Sequence, residues 1–261
     1  MRLPVRFIVF SAALAVFALC AVGPAAAQSS SSQPGQTQTA PAPAPITGVY
    51  VATNPLAGVN YDNAYDLSLE MAYDHMKAGP TLVQGSHLGG LNLTGSRWLT
   101  EHWGLQASGR AYIGTSGAGL NYLSSGGYLK GPVVKQYFFV GGPEWLGPHN
   151  QHGAMLAHFL VGGVYGNFQK DLLGYPPAKF DFYYNQVAPA AIIGGSFDLN
   201  RSARWVFRIT PDAVMTHYTY SNQPYSAQKY AQFDVNFAIS VGMEYKFKGN
   251  RYHTGLFRKK R

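Results

Sequence analysis

The chain has 261 residues, a formal net charge of +8, and only 12% charged residues beside 14% aromatics. That is about half the charged share of an ordinary soluble domain, and no segment beyond the N-terminal leader is apolar for long enough to cross a bilayer as a helix. Both points lead away from an ordinary soluble enzyme and from a helical membrane protein, and with Cys20, in the leader, as the single cysteine a disulfide framework and a thiolate metal site are excluded.

The N-terminus reads as an export signal. Arg2 and Arg6 form a basic start, residues 7–22 are apolar, and Gly23-Pro24-Ala25-Ala26-Ala27-Gln28 supplies small residues for cleavage after Ala27. Cys20 is not expected to carry lipid, because Leu19 stands where a lipoprotein signal needs a small side chain. Residues 28–63 form a Ser/Gln-rich, then Pro/Ala-rich spacer and lead-in that cannot bury a core, with a short apolar patch at 46–51. The basic balance gathers at the far end, where Lys248, Arg251, Arg258, Lys259, Lys260 and Arg261 make a tail over 248–261.

Between these lies the patterned region, 64–247. Tyr65, Leu67, Leu69, Met71 and Tyr73 alternate with Asp66, Ser68, Glu70, Ala72 and Asp74. A period of two makes one face apolar and the other polar, which is a strand and not a helix. A Tyr at each end of the apolar face suits an aromatic girdle at each membrane interface. Six further strands are expected at 88–96, 104–114, 132–142, 154–166, 185–199 and 205–218. Of these, 154–166 is apolar on both faces and shows no phase. The final strand, 233–247, sets Phe233, Val235, Phe237, Ile239, Val241, Met243, Tyr245 and Phe247 against Asp234, Asn236, Ser240, Glu244 and Lys246. The intervening connections, 77–87, 97–103, 115–131, 143–153, 167–184, 200–204 and 219–232, alternate longer and shorter. That is the rhythm of outer loops and periplasmic turns.

In hydrocarbon every backbone amide must pair, so the sheet has to close, with the first strand against the last. The expected fold is therefore all-β: a closed, up-and-down antiparallel transmembrane β-barrel of about eight strands. Eight strands leave an interior just wide enough for side chains to fill. Arg110 and Arg208 then have to neutralise Glu70, Asp212 or Glu244, because a buried charge without a partner is too costly.

From Ala64 to Phe247 the sequence resembles the small eight-stranded outer-membrane barrels of the OmpA transmembrane-domain and OmpX type. The two alternating end strands carry the resemblance, with a turn at Phe139-Val140-Gly141-Gly142-Pro143 and the segment Gly194-Gly195-Ser196-Phe197-Asp198 leading into Arg208-Ile209-Thr210-Pro211-Asp212. The last pair looks like the glycine-rich strand and following Arg…Asp strand of the outer-membrane β-barrel domain. Tyr245-Lys246-Phe247 resembles the aromatic-ended final strand that barrel-assembly machinery recognises, here followed by the basic tail. The resemblance implies an integral place in the bacterial outer membrane, lipid and lipopolysaccharide as surroundings, and assembly machinery as a partner during insertion. A monomer is expected, and the export signal argues against nucleic acid.

Candidate chemistry is sparse, and no cofactor is expected. His149 and His152 sit three apart in a connection without a carboxylate at ligand spacing, and read as exposed turn residues. His158 reads as a satisfied interior histidine. Gly114 to Gly119 is glycine-rich but lacks the Lys-Ser/Thr of a phosphate loop. Small barrels that modify lipid use a Ser/His/acid set near the outer leaflet. Here Thr216, His217, Ser221 and His75 lie at that level, with no spacing that links nucleophile, base and orienter, so the sequence is read as non-enzymatic. The interior polar set, Glu70, Arg110, Arg208, Asp212 and Glu244, is the group to watch. It is expected to plug the lumen, leaving a structural or surface-binding role. A narrow porin-like conduit and a lipid-modifying enzyme stand as the alternatives.

Overall fold

The computed structural model describes residues 54–80, 82, 85–116, 121–122, 128–129, 131–221 and 228–247. The signal segment with Ala27, most of the spacer and the basic tail lie outside the described residues. Eight long strands form the wall: β1 (Tyr65–Met76), β2 (Ser86–Trp98), β3 (Trp103–Thr115), β6 (Val133–His149), β7 (Gly153–Asn167), β8 (Gln186–Asn200), β9 (Trp205–Tyr220) and β10 (Tyr230–Lys246). The connection between β3 and β6 holds a two-stranded hairpin, β4 (Asn121–Tyr122) with β5 (Tyr128–Leu129). Every neighbouring pair in the wall is antiparallel, and β1 pairs with β10 from Asp66↔Lys246 to His75↔Phe237, so the sheet closes into a barrel.

Strand phase follows the alternation in the sequence. In β1, Tyr65, Leu67, Leu69, Met71 and Tyr73 are exposed, while Asp66, Ser68, Glu70, Ala72 and Asp74 are buried. The same holds in β10, where Phe233, Val235 and Phe237 face out and Asp234, Asn236 and Ala238 face in. The outer surface therefore presents large apolar side chains, with Phe139 and Val187 each 76% exposed. Aromatic rows edge this belt. At one end Trp103 pairs with Trp145, and Trp205 packs edge-on against Tyr245 with ring centroids 5.0 Å apart. At the other, Tyr137 stacks on Tyr165.

The connections 99–102, 150–152 and 201–204 are tight and share one end of the barrel with the start of β1 and the finish of β10; this is the turn end. The connections 77–85, 116–132, 168–185 and 221–229 are longer and mark the loop end. The fourth strand corrects the sequence reading. Phe139 to Pro143 is not a turn but the middle of β6, which continues to His149. Pro143 interrupts the ladder only between Gly141↔Val161 and Glu144↔His158, and the register resumes unchanged. The missing N–H is local, and β6 stays paired with β3 on one side and resumes pairing with β7 on the other. A bulge between Leu146 and His149 then ends the pairing at the turn.

The apolar phase of 154–166 also resolves. Met155, Phe159, Val161 and Tyr165 face outward, and Leu156, His158, Leu160 and Val164 face inward. The inner face is apolar here because the loop-end half of the lumen is a hydrophobic core. Leu88, Phe138, Leu160, Val164, Ile192 and Val214 point into it from the wall. The connection 168–185 folds back and contributes Phe168, Leu172, Phe180, Phe182 and Tyr183. The lumen is thus not filled by charged side chains throughout, as the sequence suggested. The ion-paired charges occupy the middle and the turn end, while Asp74 and Asp234 are buried carboxylates in the loop-end half.

Candidate functional site

The lumen contains two fillings in series. The one nearer the turn end is ionic. Arg208 enters from β9 directly opposite Asp198 of β8. Its guanidinium grips that carboxylate twice, Nε to Oδ1 at 2.7 Å and Nη2 to Oδ2 at 2.8 Å, and Nη2 also reaches Glu244 Oε2 of β10 at 2.5 Å. The planar fork suits such bidentate contact. Four residues further along β9, Asp212 lies 2.6 Å from Arg110 Nη1 and 2.9 Å from His158 Nε2. All of these side chains are at most 2% exposed. Gly194 faces Asp212 across the β8–β9 ladder, and a Cβ at 194 would lie 2.0 Å from Asp212 Oδ1. A glycine there is what lets the carboxylate lie against the wall.

Glu70 is inside the lumen but pairs with neither arginine. It accepts hydrogen bonds from Ser68 Oγ at 2.8 Å and Asn92 Nδ2 at 3.4 Å. A relay joins it to Arg110, whose Nε donates to Ser108 Oγ, and Ser108 Oγ donates to Asn92 Oδ1. The structure therefore brings together Arg208 with Glu244 and Arg110 with Asp212, and leaves Glu70 one relay away. Sequence reasoning missed Asp198 and the buried Glu144 as interior charges. Counting by twos from Arg208 through the tight turn would have placed Asp198 on the inner face. Glu144 was hidden by ending its strand too early.

At the turn end the lead-in segment lies over the opening. Asn200 Nδ2 donates to the Tyr61 hydroxyl at 2.7 Å, Tyr61 donates to the carbonyl of Asn150 at 3.2 Å, and Lys246 Nζ sits 3.9 Å from the Tyr61 ring centre. Lys246 also donates to Asn200 Oδ1 at 3.2 Å. Between this cap and the Arg208 cluster a void of about 10 Å³ remains, lined by Asp66, Trp98 and Leu156 among others. That is about the least space that holds one water molecule. A larger open hollow of about 600 Å³ lies outside the cap, between Tyr61, Glu101, His102 and His149.

The second filling is aromatic. Phe168 packs edge-on against Tyr183 and Tyr218, with ring centroids 5.7 and 5.1 Å away. Tyr183 donates its backbone amide to the carbonyl of Ala78 at 3.0 Å and its hydroxyl to the carboxylate of Asp234. Gln136 Nε2 donates to the Tyr218 hydroxyl at 2.8 Å. Burial first, and the Asp234 carboxylate second, raise the Tyr183 phenol above its ordinary value of 10.0. A raised phenol means the neutral form is favoured by folding, so its contribution is complete below about pH 10 and fades as pH climbs through the raised value. Tyr183→Phe is therefore expected to melt below the parent protein at pH 8, with the gap shrinking in strong alkali. Melting curves across the alkaline range check this, and a gap that stays constant contradicts it.

The remaining candidates fall apart spatially. Thr216 is buried in the lumen and His217 is on the outer face, so neighbours in sequence do not share a site. His149 Nδ1 is 2.9 Å from the carbonyl of Gly147, and His152 lies in the adjoining turn. Among the described residues no three His, Cys, Asp or Glu side chains converge as a metal centre.

Fold and lumen together define a class: a closed eight-stranded antiparallel barrel, apolar outside and plugged inside. Solved structures to which the chain is similar include the outer membrane protein OprG from Pseudomonas aeruginosa, with a TM-score of 0.49, 11% identity, and coverage of 73% of this chain and 98% of that one. Ail, the attachment invasion locus protein of Yersinia pestis, in complex with the heparin analogue sucrose octasulfate, gives 0.40 at 14% identity over 71% and 99%. Outer membrane protein W of E. coli gives 0.37 at 11% identity over 72% and 100%. At these identities the likeness is one of fold. No protein-family model and no curated protein sequence matches the chain.

Proposed function

We propose that this is a non-enzymatic, integral barrel of the bacterial outer membrane that is sealed to diffusion and acts as a rigid platform for its loop-end surface. The apolar belt between two aromatic rows supports lipid as its solvent. The alternation of tight and long connections supports a periplasmic turn end and an outward loop end. The observation that carries the reading is the serial filling of the lumen. The Arg208 cluster and the aromatic core each occupy the bore, and the space between cap and cluster is about 10 Å³. Lipid and lipopolysaccharide are its surroundings, assembly machinery its partner during insertion, and a monomer its working form.

Planar-bilayer recording of the refolded full chain tests the seal. A quiet membrane, with insertion verified separately by protease protection, is the expected outcome. Discrete current steps that persist in single-channel records overturn the seal and favour the narrow conduit instead.

A further inference from the structure

We infer that the outer wall at the loop end carries a two-histidine site for a divalent transition-metal ion, formed by His75 of β1 and His87 of β2. The two residues face each other directly across the ladder, and both side chains are exposed on the outer face. Their ring centroids are 4.8 Å apart, with planes inclined at 44°. An imidazole nitrogen binds such an ion at about 2.0–2.1 Å, which puts the metal roughly 3.2 Å from each ring centre. With a nitrogen of each ring turned to the metal, a centroid separation of 4.8 Å corresponds to a nitrogen–metal–nitrogen angle of roughly 95–100°, close to the octahedral or square-planar value. The spacing places the two rings within chelating reach once each turns a nitrogen towards the shared point.

Two neighbours hold the rings. The Tyr73 hydroxyl, two residues before His75 on the same face, lies 2.5 Å from His87 Nδ1. With Nδ1–H donating to the phenol oxygen, Nε2 keeps its lone pair for a ligand, the usual outer contact of a metal-binding histidine. Gly85 makes room for the other ring. A Cβ at 85 would lie 2.2 Å from His75 Cε1 and 2.4 Å from Nε2. With two protein ligands, water fills the remaining positions. Neutral imidazoles select Zn²⁺, Cu²⁺ or Ni²⁺ over the hard cations Mg²⁺ and Ca²⁺. Lys77 continues the exposed phase beyond His75. Its charge opposes a bound cation and would assist a bound anion, so it distinguishes the two chemistries. The site does not depend on whether the lumen conducts.

The test is calorimetric titration of the full chain, refolded in detergent micelles, with Zn²⁺, alongside Cu²⁺ titration followed by the nitrogen hyperfine pattern in electron paramagnetic resonance. The expected result is a two-nitrogen site weakened at least about tenfold by His75→Ala or His87→Ala, and by roughly tenfold in Tyr73→Phe, as for other outer contacts of metal ligands. Gly85→Ala weakens it by displacing His75, His217→Ala on the same rim leaves it unchanged, and Lys77→Ala tightens it. Heat-modifiable gel migration verifies that each variant remains a barrel. Unchanged Zn²⁺ binding in both His75→Ala and His87→Ala overturns the proposal. So does weaker Zn²⁺ binding in Lys77→Ala together with inorganic phosphate binding that His75→Ala abolishes, which would make the site anionic in preference.

Discussion

Arg208→Leu is expected to lower the stability of the folded barrel by about 3–5 kcal/mol, the range for removing one partner from a buried ion pair. The magnitude follows from what stays behind. Asp198 and Glu244 are each at most 2% exposed and lose the only guanidinium among the described residues within salt-bridge reach. Two carboxylates then share a space with little room for water. Reversible urea unfolding in micelles, followed by tryptophan fluorescence, measures the loss. A change below about 1 kcal/mol would mean that solvent reaches the cluster and that the lumen is wetter than its geometry indicates. The companion Arg208→Leu, Asp198→Leu, Glu244→Leu triple variant separates charge from packing. Replacing all three partners by apolar groups is expected to restore much of the stability, because desolvation offsets most of the attraction within a buried pair.

Phe168→Ala is expected to cost about 3–5 kcal/mol, the range for truncating a buried aromatic, although the residue belongs to a connection and not to a strand. Its side chain is fully buried between Tyr183 and Tyr218. The chain is fixed there as well, since the backbone amides of Phe168 and Gln169 both donate to Asn185 Oδ1, at 2.7 and 3.1 Å. Leu173→Ala is the natural control, in the same connection but 70% exposed, and should change stability by no more than about 0.5 kcal/mol. Equal and small effects at both positions would show that 168–185 rests on the barrel without being part of its core.

Much of the wall was legible because the outer and inner faces of a closed barrel impose opposite demands on alternate residues. β1 and β10 show this in the sequence itself, since Leu67 and Val235 face outward while Ser68 and Asn236 face the lumen. β7 was not legible in the same way. Leu160 and Val164 face a hydrophobic core that another part of the chain provides, and nothing within 154–166 announces it. Pro143 misled for a related reason: proline normally stops a strand, but in a closed wall β3 and β7 on either side carry β6 past the gap. In the lumen, Arg110, Arg208, Asp212 and Glu244 could be picked out as charges on polar faces. The pairing among them could not, because Arg208 meets Asp198 through the β8–β9 register and Glu244 through the β9–β10 register. The nearness of His75 and His87 is likewise a property of register, set by a connection whose length the sequence overestimated.

The attachments of Tyr183 have a bearing on the order of assembly. Its amide meets Ala78 just beyond β1, its hydroxyl meets Asp234 on β10, and the next amide, from Tyr184, reaches the carbonyl of Thr219 on β9. Those three partners come from opposite ends of the polypeptide and become neighbours only after the first and last strands have zipped together. The aromatic stopper therefore cannot seat in a half-built ring. Its seating is a late milestone of maturation, and an environment-sensitive dye near Tyr183 would time the completion of the seam.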